Sequence, residues 1–476
     1  MDTKQSVLIL GHQLKGMIAA VQLAKSGFDV RVVGLDGFDN AYHPFAKDYK
    51  VGPVTHVPFQ IPKSLVDDLN LQDHGLVIEA PIDNPFVDLP FYDGLCTLLD
   101  SFETLDDNRP AYKEKAWRDT WGTFELGRIL AGYDKDIQAL FAQSTTLSLV
   151  ELFENLPLND DQKANMIAAC IIGSRTDLNT KGSASALLPA LSFFMHRDDT
   201  ISVCGPLHPL LSCLKQAGMS LGVDYQDSIV KNIHAAGRDV TSVILQDDTE
   251  IEVDYYILDS DPVVFFKQYG DGLSLPPAFQ NRVTPTQNLR ECARVHMAVS
   301  AIPDDLQKHK IIAPTVDYIE KARTDFRVDG GSQLPFLSVI NVTHDRPDFA
   351  PDGSHVLDIL FHYCDPNLMD DEGAQDAFIQ TTIQALDRAY PNFSDSIIET
   401  GFTKPNSQAG MPNFTGAMPL LQLFKIFFGH HAMGYDMPFD NMILAGYGSE
   451  ACAHYHVQKG GMRVSTLLQS IQNNGT

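Results

Sequence analysis

The sequence predicts an α/β protein built on a buried parallel sheet. Two observations carry this. Residues 7–10 (Val-Leu-Ile-Leu) are a short apolar run stopped at once by Gly11, as in a strand buried on both faces. Residues 15–26 then show helical spacing, with Met17, Ala20, Val21 and Ala24 on one face and Gly27 as a stop. A second strand follows at 29–33. Strand, tight turn, helix and strand within about 30 residues form a βαβ unit, which at the start of a chain suggests a Rossmann-like, dinucleotide-binding layer.

The later elements fit the same class. Residues 134–170 read as helical with little β character, and a helix runs through Leu211, Leu214 and Ala217 to Gly222. Residues 229–254 alternate as a β-meander, with Gly237 and the Asp247-Asp248 pair at its turns. Residues 255–258 form another buried strand, 285–301 and 335–364 carry β-rich runs, and 442–445 make a last strand before the turn 446–448. A mixed sheet with a few helices over it suits the middle of the chain.

Composition narrows the function. The 476 residues are ample for a large core and correspond to about three domains or subdomains. Lys and Arg total 35 against 61 Asp and Glu, a formal charge of -26. A surface this acidic repels phosphate backbones and anionic lipid, so nucleic acid is excluded as a partner. No window reaches the roughly 18 apolar residues of a membrane span, and 7–10 is too short for a secretory core. The seven cysteines are scattered without a Cys-x-x-Cys pair, which suits thiols in a reducing, cytoplasmic compartment.

The turn after the first strand supplies only part of a dinucleotide fingerprint, which needs three small residues. Gly11 makes the tight turn and Gly16 lets the helix pack closely on the strand. Gln13 stands where the second glycine would let a pyrophosphate approach the backbone. The acid that binds a ribose hydroxyl belongs at the end of the second strand, where Gly34 stands, with Asp36 two residues on.

Residues 7–34 resemble the opening of the phytoene desaturase, carotenoid isomerase and retinol saturase group of flavoproteins. That group's pattern is G-x-G-x-x-G, a helix, then G-x-x-V-x-V-x-E. Gly11, Gly16, Ala20, Leu23, Gly27, Val30 and Val32 match it without a gap. Residues 51–53, 61–71 and 73–76 are similar to the stretch that follows. Residues 203–210 stand where the family has a Gly-Gly-Met turn, and Asp259 to Pro262 resemble a family strand end in Asp-Pro. Residues 414–418 and 422–424 resemble the segment before its last strand. The resemblance implies an FAD/NAD(P)-binding fold of the flavin amine oxidase and phytoene desaturase type. The flavin layer would be built from 1–75, 200–270 and 435–476, and an interleaved α+β substrate layer from 76–199 and 271–434.

In such proteins the flavin supplies the redox chemistry and the chain binds, orients and shields it. The resemblance therefore places cofactor contacts at Gly11, Gln13, Gly16, Gly34, Gly446 and Gly448, and names no catalytic side chain. Four parts of that cradle depart from the family: Gln13, Gly34, residues 37–42 in place of a Gly-Gly segment, and the loop 446–454. There the family resembles G-A-G-T-H-P-G-G-G, whereas this chain has Gly-Tyr-Gly-Ser-Glu-Ala-Cys-Ala-His. Glu450 would also set a negative charge near a pyrophosphate. The expectation is FAD binding that is weak, rearranged or absent. Two functions follow: a pseudo-oxidoreductase that binds an apolar small molecule or pairs with an active paralogue, or an active FAD-dependent oxidoreductase on an apolar polyene or lipid.

Other candidates rank below these. Glu450, Cys452, His454 and His456 are zinc-ligand types, but at i, i+2 spacing they span too far for one tetrahedron without a bend, so no metal is expected. No Gly-x-Ser-x-Gly elbow or Walker loop is present. His56, His196, His234, His296 and His309 have no distinguishing spacing. The apolar run 420–428 reads as a core helix or the wall of a lipid-sized tunnel, with Phe and Leu side chains of 414–428 lining an apolar pocket.

Overall fold

A computed structural model of the chain describes residues 4–35, 43–52, 59–78, 84–107, 124, 127–172, 177–195, 200–203, 207–260, 262–277, 279, 292–403 and 437–445. The sixteen strands among them are, in chain order, β1 (Ser6–Leu10), β2 (Asp29–Gly34), β3 (His43–Ala46), β4 (Tyr49–Val51), β5 (Phe59–Pro62), β6 (Thr200–Val203), β7 (Asp224–Ala236), β8 (Asp239–Leu245), β9 (Glu250–Ile251), β10 (Tyr255–Leu258), β11 (Cys292–Val299), β12 (His309–Ile312), β13 (Leu337–Asn341), β14 (His355–His362), β15 (Ile397–Thr403) and β16 (Met442–Leu444). Helix α1 (Leu14–Lys25) joins β1 to β2.

The larger sheet has seven strands in the order β16-β10-β1-β2-β7-β8-β9. Its pairs from β16 to β7 are parallel, and β8 and β9 complete it as an antiparallel meander. The meander turns where the sequence put them, at Gly237 and Asp248, both with positive φ. β1 is an interior strand and is apolar and buried from Val7 to Leu10, so both faces must be covered. On one face, Val7 and Ile9 pack with Met17, Ile18, Val21 and the helix Leu207–Ser220. On the other, Leu8 and Leu10 pack with Tyr256, Leu258 and the aromatic side chains of the helix Pro262–Tyr269.

The smaller sheet is antiparallel, in the order β12-β13-β14-β11-β15. Odd-numbered residues of β11 (Ala293, Val295, Met297) pack with Val339, Ile359, Phe361 and the helix Glu372–Ala389. A helical cluster holds a separate core around Phe86, Phe153, Leu187 and Leu188, using the helices Lys135–Thr146, Leu149–Glu154, Asp160–Ile171 and Leu187–Phe194. Two of these begin with capping boxes, Ser148 with Glu151 and Asn159 with Gln162, which satisfy first-turn backbone donors. None of the described helices is long and apolar enough to cross a membrane.

The chain returns to the large sheet late. β16 pairs not with β1 but with β10, which lies between them. Asn441 fixes that return, since its side chain acts as a short piece of strand. Its Oδ1 accepts from Val240 N–H at 2.9 Å and its Nδ2 donates to Val240 O at 2.8 Å. Its own carbonyl accepts from Tyr256 N–H at 2.9 Å. Arg238 Nε reaches the neighbouring Asp440 at 3.0 Å. Asn441→Ala therefore removes two hydrogen bonds to β8, and each neutral bond contributes about 1 kcal/mol. The expected result is a destabilisation of ~1–3 kcal/mol in urea denaturation, whereas Asp440→Ala, which loses only exposed contacts, should cost less.

Candidate functional site

The carboxyl ends of β1, β2 and β10 converge where the strand order reverses around β1, the crevice in which open α/β sheets bind ligands. Gly11 leaves β1 with φ +114° and donates to Val33 O at 2.9 Å. Asp259 leaves β10 and donates its N–H to Leu10 O at 2.9 Å. These two bonds bring the turn at the start of α1 against the end of β10.

Both retained glycines are explained by that approach. A Cβ on Gly11 would stand 2.5 Å from Asp259 O, and one on Gly16 would stand 2.3 Å from Asp259 Oδ2. Gly34 is likewise confined, because a Cβ there would lie 2.8 Å from Ile229 Cγ2 on β7. A ribose-binding acid at this position would press on the neighbouring strand. Gln13 is the N-cap of α1, but its side chain makes no capping bond, and its enclosed Nε2 lacks a hydrogen-bond partner. In the described part of the turn, two positions depart from the dinucleotide pattern. The middle glycine is absent, and so is the acid at the end of β2. Gly446, Gly448, Asp36, residues 37–42, the string from Glu450 to His456 and the segment 414–428 lie outside the described residues.

Asp259 itself is fully buried. Neither carboxylate oxygen has a hydrogen bond of good geometry. Burial pushes its carboxyl up to about 7. The backbone N–H groups of Gly16 and Gln13 and the charge of buried Lys15 offset this only in part.

A second buried polar group lies on the small sheet. Even-numbered residues of β11 (Cys292, Arg294, His296) share the face opposite the helix Glu372–Ala389, with Asp358 and His362 beside them on β14. Arg294 donates to both oxygens of Asp358, at 3.3 and 2.6 Å, and to Gly52 O at 3.2 Å. His296 Nδ1 stands 3.3 Å from Asp358 Oδ1, and its Nε2 is 2.8 Å from Thr403 Oγ1. The ring of His362 stacks on Phe336 at 3.8 Å, with Nδ1 3.5 Å from Cys292 Sγ. Burial drives the His362 pKa down to about 3, so the ring is neutral at neutral pH.

Sequence reasoning missed these residues. Asp259 was legible only as a strand end, and His296 had no telling neighbours. The usable signals were an acid directly after four apolar strand residues, and the alternation of Cys292, Arg294 and His296 with Ala293, Val295 and Met297.

No family model matches the chain. The 4,4'-diaponeurosporene oxygenase of Staphylococcus haemolyticus is 24% identical over 397 residues, which cover 76% of this chain and 75% of that protein. The chain is thus similar to a carotenoid-modifying oxygenase over most of its length, in line with the resemblance to phytoene desaturase-like flavoproteins. Among solved structures, wild-type putrescine oxidase bound to putrescine superposes with a TM-score of 0.56 at 15% identity, covering 98% of this chain and 99% of that one. A triple variant of the same oxidase, made in a redesign of cofactor binding, gives 0.53 at 15% identity, with the same coverage. At such identities the likeness shows the fold alone: a Rossmann-like layer arranged as in putrescine oxidase, joined here by an antiparallel sheet.

Two outcomes test the electrostatics of these buried groups. The folded carboxyl of Asp259 titrates near 7 against about 4 unfolded, so its penalty is absent below pH 4, grows between the two values and is complete above 7. Asp259→Asn should raise the melting temperature at pH 8 and change it little at pH 4; an equal gain at both would contradict the charge argument. On the small sheet, Asp358→Ala strands a buried guanidinium and should cost ~3–5 kcal/mol. The double variant Arg294→Met/Asp358→Leu should recover most of that loss in the same denaturation assay.

Proposed function

We propose that this chain is a phytoene desaturase-like protein whose first cofactor turn serves internal packing, so that FAD is held weakly, in a rearranged manner or not at all. It acts as a binding or partner subunit, for an apolar small molecule or for an active paralogue. The supporting observation is the pairing of Gln13, where a pyrophosphate needs bare backbone, with a buried carboxyl at Asp259 behind the same turn. Cβ atoms and negative charge both oppose a dinucleotide there. Cys96, Cys170, Cys213, Cys292 and Cys364 are thiols, which suits the cytoplasm as its compartment.

A second reading draws on the relative named as an oxygenase of 4,4'-diaponeurosporene. On that reading the chain is an active FAD-dependent oxidoreductase of an apolar polyene, and its cofactor contacts have moved. The visible absorbance of the purified protein separates the two. The expected result is no stoichiometric flavin, with FAD uptake increased by Gln13→Gly. A yellow protein carrying one FAD per chain would overturn the first reading and leave the second.

A further inference from the structure

We propose that Asp259 is the specificity-determining residue of the Gly11–Gly16 turn. Seated behind the first turn of α1, its carboxylate supplies from within the negative charge that this helix end would take from a ligand, and so selects against a pyrophosphate. The inference deepens the reading above and rests on it.

A helix N-terminus presents unpaired N–H groups and a partial positive charge, which makes it a receiver of anions. The first turn of α1 contains no acidic residue of its own. The acid comes instead from β10, through space that exists only because residue 16 is glycine: Asp259 Oδ2 lies 2.3 Å from where a Cβ would be. The carboxyl is fully buried, and both its oxygens are still without a well-aligned donor. Nothing in the described turn fully discharges it, since the Lys15 ammonium and the N–H groups of Gly16 and Gln13 leave it titrating near neutrality. A second anion a few ångströms further out would meet this charge across a medium of low dielectric.

The sign with pH follows. Above about 7 Asp259 is ionised and a pyrophosphate is repelled; below it the carboxyl is neutral and the repulsion is gone. Two other titratable groups stand at this end of the sheet, Lys15 on α1 and His12 in the turn. His12, whose Cε1 is 3.8 Å from the Cβ position of Gly34, would add attraction when protonated, in the same direction. Variants at 259 and at 12 separate the two contributions.

The test is titration of FAD into the full-length protein at pH 6 and pH 8, read by flavin fluorescence, for wild type, Asp259→Asn and His12→Gln. Wild type is expected to bind FAD roughly tenfold or more tightly at pH 6 than at pH 8. Asp259→Asn should bind at pH 8 at least as tightly as wild type does at pH 6 and lose most of the pH dependence, while His12→Gln should keep it. A pH-independent wild type, an Asp259→Asn affinity within threefold of wild type at pH 8, or no binding by either protein at either pH would each overturn the assignment. Tight binding by wild type at pH 8 would instead refute the proposed function, and the ratio between variant and wild type would still report on Asp259. Should Asp259→Asn fail to fold, the pH profiles of wild type and His12→Gln decide alone.

Discussion

The large sheet depends on one close approach, that of the first turn of α1 to the end of β10. β1 and β10 are neighbours, and the first turn of α1 meets the end of β10 without a side chain in the way. Gly16 permits this, and Asp259 fills the space that results. Gly11 turns the chain off β1 with a backbone angle that residues with a Cβ rarely adopt. A Cβ at either position would lift α1 from the sheet, and with it the packing of Met17, Ile18 and Val21 on Val7 and Ile9. Each of those buried side chains contributes about 1.5–3 kcal/mol, so the contact governs far more energy than it contains.

The two layers treat buried charge in opposite ways. On the small sheet, Asp358 is enclosed by Arg294 and His296, and Arg294 spends a further donor on Gly52. That cluster is a network of charge-assisted bonds, expensive to break at any one member and replaceable as a whole. On the large sheet, Asp259 is held by position, with one lysine charge and two peptide N–H groups partly offsetting its burial. The first arrangement surrounds its carboxylate with donors, while in the second burial raises the carboxyl to about 7, so a proton can move near neutral pH.

The elements of the large sheet were legible in the sequence where periodicity and glycine agreed. β1, α1, β2, the β7–β9 meander and β10 lie within a residue or a few of their expected bounds, apart from β7, which starts earlier than the pattern suggested. Short strands such as β3 to β6 carry too few residues for a period to register. The buried charges were hidden for another reason. Period-2 alternation on β11 reads as one apolar face and one wet face, but every residue of β11 is buried. The covering comes from distant sequence: Tyr49 and Val51 of β4 pack on Ala298 and Val356, and Phe45 of β3 stands 5.5 Å from the His296 ring. No local pattern announces a lid supplied from 250 residues away.

The candidate site was half legible for a related reason. A glycine motif combines two demands that a sequence cannot separate, one from packing and one from a ligand. The structure separates them by what a Cβ would meet. At Gly11 and Gly16 it would meet Asp259, within the protein, so the fold alone suffices to retain both. At residue 13 the fold makes no such demand, because a glutamine is accommodated there as the N-cap of α1. Retention of the first and third glycines is thus a signature of how α1 packs on β1 and β10. The middle position is the one whose identity speaks about a cofactor, and in this chain it has a side chain.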